Sequence, residues 1–148
     1  MSKVNVAAER LVDAPSETVY RCFADMRDHH ANFLPGNFSD FTVEEGGVGA
    51  GTVITYSVTA GGRTRSYRMA VSEPEPGRVL RETDANSSLA TTFTVIPAGA
   101  QSRVRIETSW DGAGGVGGFF EKLFAPMALR KIYEDELNRL EQYAKRLG

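Results

Sequence analysis

A single cysteine, Cys22, excludes an intramolecular disulfide and any cysteine-cluster metal site. Histidine is nearly as scarce. His29 and His30 are the only two, and adjacent residues on a helix face different ways, which argues against a two-histidine metal site. Neither sign of charge dominates: seventeen Lys and Arg stand against nineteen Asp and Glu. The net charge of −2 gives no general pull toward nucleic acid or anionic lipid. No apolar run approaches the ~20 residues of a membrane-spanning helix. Residues 1–10 lack the basic and apolar regions of a signal peptide. The expectation is a cytoplasmic soluble domain. At 148 residues the chain suits one domain, 1–148, able to bury roughly two-thirds of its unfolded surface. Glycine alone is in excess, fifteen residues against an average near ~7%.

The hydrophobic pattern reads as strand, short helices, six strands, long helix. Residues 3–12 place Val4, Val6, Ala8 and Val12 on one parity. Pro15 suits a first helical turn, and Val19, Cys22, Phe23 and Met26 then recur at helical spacing. A second short helix is predicted within 28–34, before Pro35-Gly36. Strands follow at 38–45, 52–59, 63–72, 78–85, 88–96 and 103–110, punctuated by glycine and proline turns at 46–51, 61–62, 74–77 and 97–100. After the glycine-rich stretch 111–118, a short helix near 119–124 precedes a long one. Leu129, Ile132, Tyr133, Leu137, Leu140, Ala144 and Leu147 form its apolar face. An antiparallel meander with helices gathered on one face is an α+β fold. One helix cannot tile the inner face of a strongly bent seven-stranded sheet, so a pocket between the two is expected.

Local motifs point the same way. Val12-Asp13-Ala14-Pro15-Ser16-Glu17-Thr18-Val19-Tyr20, Gly49-Ala50-Gly51-Thr52, Glu73-Pro74-Glu75-Pro76-Gly77-Arg78-Val79-Leu80 and the amphipathic C-terminal helix resemble the START/Bet v 1-like (SRPBCC) superfamily, closest to its polyketide cyclase/dehydrase-like branch. The resemblance covers nearly the whole chain. It implies the helix-grip fold: a seven-stranded bent antiparallel sheet wrapped around a long C-terminal helix, with two short helices after the first strand. It implies a small hydrophobic ligand, lipid- or polyketide-like, as partner. It leaves open binding, cyclase/dehydrase catalysis and protein interaction, because fold does not fix function. No cofactor is implied, and a homodimer is a further candidate assembly.

Several residues are candidates for chemistry. The run Gly112-Ala113-Gly114-Gly115-Val116-Gly117 matches G-x-G-x-x-G, but no strand follows the helix, so the βαβ context for a dinucleotide is missing. A helix hinge is the plainer reading. His29 and His30 are expected near the surface, and either would be the best general base if turned inward. Cys22 reads as core. In the 78–85 strand both parities carry a charge inward, Arg81 or Glu82; Val79, Thr83 and Ala85 make the Arg81 set slightly favoured. Arg65 reads as a rim guanidinium suited to a ligand carboxylate. Weak catalytic candidates are therefore His29, His30, Tyr67 and Arg81. The inner face is expected to present Ile54, Tyr56, Tyr67, Met69, Arg81, Thr91, Phe93, Thr108 and Trp110 to a ligand, with Phe120, Phe124 and Met127 gating or capping. For each of these, plain core is the competing reading. The aromatic cluster Phe119–Phe124 also suits a protein contact surface.

Overall fold

A computed structural model describes residues 3–60, 62–111 and 126–147. The elements are β1 (Lys3–Val12), α1 (Ser16–Ala24), a 3-10 turn (His30–Phe33), β2 (Phe38–Glu45), β3 (Val53–Ala60), β4 (Arg63–Glu75), β5 (Val79–Asp84), β6 (Ala90–Ala98), β7 (Gln101–Asp111) and α2 (Pro126–Leu147). All seven strands form one antiparallel sheet in the order β1-β7-β6-β5-β4-β3-β2. The first strand thus closes onto the last, and β2 forms the opposite edge. This is the expected α+β helix-grip arrangement, with α2 laid against the sheet. One difference lies after β1, where a single helix and a 3-10 turn replace the two short helices. The segment His30–Phe33 is too short for a stable α-helix and is held by packing instead.

Burial alternates along the strands as half-buried sheets require. Tyr67, Met69 and Val71 are buried on β4, as are Thr91, Phe93 and Val95 on β6 and Val104, Ile106, Thr108 and Trp110 on β7. Their inner face meets Val19, Cys22 and Phe23 from α1 and Leu129, Ile132, Leu137 and Leu140 from α2 in one apolar core. Register shifts in β2 after Ser39 and after Val43, and in the β4–β5 pair after Ser72, mark bulges that bend and twist a sheet. Asp40 sits in the first of them with φ 54°.

Two sequence expectations are overturned here. Arg81 is exposed on the outer face, while Leu80, Glu82 and Asp84 point inward. Cross-strand register decides this, because residues directly opposite in an antiparallel pair share a face. Glu82 stands opposite Val71 on one side and Thr91 on the other, and Leu80 stands opposite Phe93. His30 is not a surface residue but is buried under aromatic rings. At the ends of α2, Met127 and Leu147 are both exposed. The readings placed on 112–118, on Phe119 and on Phe120 and Phe124 lie outside the described residues.

α2 is fastened near its C-terminal end. Arg10 donates to Glu141 at 2.8 Å, and the Asp13 backbone N–H donates to the other oxygen at 2.7 Å. Partial burial opposes ionisation of Glu141, but these two donors outweigh it and hold the carboxyl below its usual range. Two residues on, the Tyr143 hydroxyl meets His29 Nδ1 at 2.7 Å and accepts from Asn32 at 3.0 Å.

Candidate functional site

A cavity lies between the inner face of the sheet and the first half of α2. The space open to the centre of a water molecule is about 40 Å³, enough for about three waters. Its apolar wall comprises Leu34, Phe38, Phe41, Val58, Leu89, Phe93 and Leu129; its polar groups are His30, Tyr56, Tyr67, Glu82, Thr91, Tyr133 and Glu136. Among the described residues that line it there is no lysine and no arginine.

The 3-10 turn delivers His30. Its Nδ1 lies 2.7 Å from the Phe23 carbonyl oxygen, which can only accept, so Nδ1 carries the proton. Nε2 is then the ring's acceptor. The ring stacks on Phe41 at 5.9 Å and 15°, and meets Phe93 nearly edge-on. Burial pushes the imidazole down to about 4, against a partial pull upward from the Phe23 hydrogen bond. His30 is neutral at pH 7.

Glu82 enters from β5 and Glu136 from α2, and both are buried. Burial pushes Glu82 up to about 8, with the Tyr56 hydroxyl acting in the opposite sense. Burial likewise pushes Glu136 up to about 8, reinforced by the charges of Glu82 and Asp135. Each carboxyl leaves its Oε2 buried without a hydrogen bond from any of the described residues. The His30 Nε2–Glu82 Oε2 separation is 3.9 Å, too long for a direct hydrogen bond.

Hydroxyls complete the polar side. Thr91 and Thr108 share a 2.7 Å hydrogen bond, and Thr108 is hydrogen-bonded in turn to Tyr133 on α2. This chain ties the helix to β6 and β7 through otherwise buried polar groups. Burial raises the phenols of Tyr56, Tyr67 and Tyr133, so all three remain protonated. The Arg65 guanidinium lies 5.8 Å from the Tyr67 ring centroid.

The sequence-predicted ligand residues divide accordingly. Tyr56, Tyr67, Thr91 and Phe93 line the cavity, as does the catalytic candidate His30. Ile54, Met69 and Trp110 are buried in the core around it, and Thr108 stands one hydroxyl behind Thr91. Arg81 faces solvent, His29 bonds to Tyr143, and Met127 lines a separate groove with Asn5, Val6 and Ala7. Sequence reasoning missed Glu136 and Tyr133 as site residues and ranked Glu82 second. The interruption of the α2 apolar face by Glu136, between Tyr133 and Leu140, was the available signal. A wider groove of about 390 Å³ lies beside Tyr20, Val48 and Glu73. There the carboxyl is already matched, accepting from Tyr20 at 2.6 Å and from the Ala50 N–H at 2.8 Å. Among the described residues no group of three or more His, Cys, Asp and Glu is placed to hold a metal ion. No helix among them is long and apolar enough to cross a membrane.

Comparison with known proteins adds family context. The family model described as polyketide cyclase/dehydrase and lipid transport matches residues 3–145. The solution structure of the KanY protein is 38% identical, with a TM-score of 0.86 and coverage of 98% of this chain and 99% of that one. TTHA0849 from Thermus thermophilus is 20% identical with a TM-score of 0.78, covering 98% and 99%. The Zhui aromatase/cyclase from Streptomyces sp. R1128 is 17% identical with a TM-score of 0.71, covering 98% and 95%. The last two likenesses concern the fold. No curated protein matches the chain.

Proposed function

The chain belongs to the polyketide cyclase/dehydrase and lipid transport family, and from that premise we propose that it binds a small, mainly hydrophobic molecule in the cavity between the sheet and α2. The observation that carries this reading is the wall itself: seven apolar side chains and seven that carry a polar group, three of these being tyrosines with apolar ring bodies, a mixture suited to a small-molecule site. The space of about 40 Å³ is well below the ~300 Å³ at the lower end for drug-sized ligands. A lipid- or polyketide-like molecule therefore needs more room than the described residues leave between helix and sheet. Native mass spectrometry on protein purified under mild conditions, with thermal shifts across fatty acids, sterols and polyketides, tests the reading. A bound mass or a raised Tm is expected. Bare protein and no shift across the panel would refute it.

One observation favours a second reading, a cyclase- or dehydratase-type enzyme acting in the same cavity. A neutral imidazole acceptor faces a carboxyl that holds its proton near pH 7, an arrangement suited to general acid–base work. His30→Ala and Glu82→Gln should then each abolish turnover of a reactive polyketide chain while leaving its binding measurable. Unchanged turnover in both variants would remove this reading.

A further inference from the structure

We infer that the cavity selects a ligand with a positively charged amine on an apolar body, the ammonium seated between Glu82 and Glu136. The inference rests on the binding reading above and narrows it to one ligand class. Two carboxyls from different elements, β5 and α2, reach the same small space. Each keeps one oxygen buried with no hydrogen bond from any of the described residues. Buried acceptors call for donors, so a cavity serving only hydrocarbon would be better lined by apolar side chains. An ammonium has three donors and no acceptor, and it supplies what both free oxygens lack. The walls agree: the rings of Phe41, Tyr56 and Phe93 border the same space, and aromatic faces attract cations.

Anionic ligands are disfavoured by the same inventory. From β5 the groups facing the pair are Glu82 itself and Asp84, the latter already bonded by Ser87. Tyr56 faces it from β3, Tyr67 with Arg65 beside it from β4, Thr91 from β6, His30 from the 3-10 turn, and Tyr133 from α2, where Asp135 lies next in sequence to Glu136. None of the described residues lining the cavity offers a full positive charge, since His30 is neutral.

Charge balance gives the inference a second readout. Before binding, both carboxyls hold their protons at pH 7. When an alkylammonium enters, one carboxyl ionises and its proton leaves to solvent; the other stays neutral, because two adjacent like charges resist ionising together. Binding should therefore release close to one proton at pH 7 and progressively less as pH rises past 8.

The test uses three probes with one aryl body: 2-phenylethylamine, 2-phenylethanol and phenylacetate. Isothermal titration calorimetry on the full chain at pH 7, in two buffers of different ionisation enthalpy, reads affinity and protons together. The amine should bind at least tenfold more tightly than the alcohol, with about one proton released, and phenylacetate most weakly. Glu82→Gln and Glu136→Gln should each weaken the amine at least tenfold and weaken the alcohol by a clearly smaller factor. The alcohol measurement also reports that each variant still folds around its cavity. Equal binding of amine and alcohol, or amine binding without proton release, overturns the inference and leaves the hydrophobic-ligand reading standing. Binding of none of the three, with bound mass or thermal shifts in the fatty acid, sterol and polyketide panel, overturns the amine inference alone. Silence in both experiments overturns both.

Discussion

Replacing Glu136 by glutamine should flatten the dependence of stability on pH between 6.5 and 8. Glu82 and Glu136 keep their protons up to about 8 in the folded protein, against 4.5 as the ordinary value. Between those limits the folded state binds more protons than the unfolded one, so stability falls as pH rises. His30 runs the other way. Its folded value of about 4 lies below 6.5, so its contribution is complete above pH 6.5 and is lost as pH falls toward 4. The window from 6.5 to 8 is therefore the carboxyls' own. At ~1.4 kcal/mol per pH unit, each can remove about 2 kcal/mol across it, and the pair about twice that as an upper figure. Glu136→Gln should remove its share and leave roughly half the slope. The amide itself costs about 1–3 kcal/mol if unmatched, but that cost is the same at every pH. The slope, not the absolute stability, is the quantity to compare. Urea denaturation at pH 6.5, 7.25 and 8.0 measures it. A wild-type stability that is flat across the window, or an equal slope in the variant, would refute the assignment of buried protonated carboxyls.

Other outcomes follow from single contacts. Gly49→Ala should destabilise by about 1–3 kcal/mol, because φ is +69° and an added Cβ would run into Glu73 Oε1; thermal unfolding with Glu73→Ala in the same background should recover part of the loss. Thr108→Val should cost about 1–3 kcal/mol, since it breaks the Thr91–Thr108–Tyr133 chain at its middle member; chemical denaturation reads this, and Thr91→Val added to it should cost much less than on its own. Leu129→Ala should cost about 2–5 kcal/mol while enlarging the cavity it lines. A thermal-shift panel should then show gains for bulkier hydrophobic compounds, and an unchanged ligand profile would count against that wall position.

The sheet was largely legible because its strands alternate so regularly. Tyr67-Arg68-Met69-Ala70-Val71 places every second residue inward, and the structure buries those three. The inward charge was not legible, because β5 carries one charged candidate on each parity and composition favours the wrong one. What decides is the register that sets Glu82 between Val71 and Thr91, a fact about pairing that no single strand contains. His30 escaped for a different reason. Four residues of 3-10 turn have no periodicity to read, and the ring is buried by Phe23, Phe33, Phe41 and Phe93, which come from separate parts of the chain. Glu136 was visible as a polar interruption of an apolar helix face, yet its meaning depends on Glu82 lying across the cavity.

The fastening of α2 by Glu141 and Tyr143 has a mechanical consequence. These anchors sit on the last two turns of the helix, whereas Leu129, Tyr133 and Glu136 meet the cavity from its first half. About fifteen residues separate Pro126 from Glu141, a rigid arm of ~22 Å at 1.5 Å per residue. A tilt of about 5° at the anchored end displaces the far end by about 2 Å over that length. The helix is thus a lever with its fulcrum at Glu141 and its load arm over the cavity. A small rotation would widen a space of about 40 Å³, at the expense of the Tyr133–Thr108 bond and of the buried packing of Leu129 and Ile132.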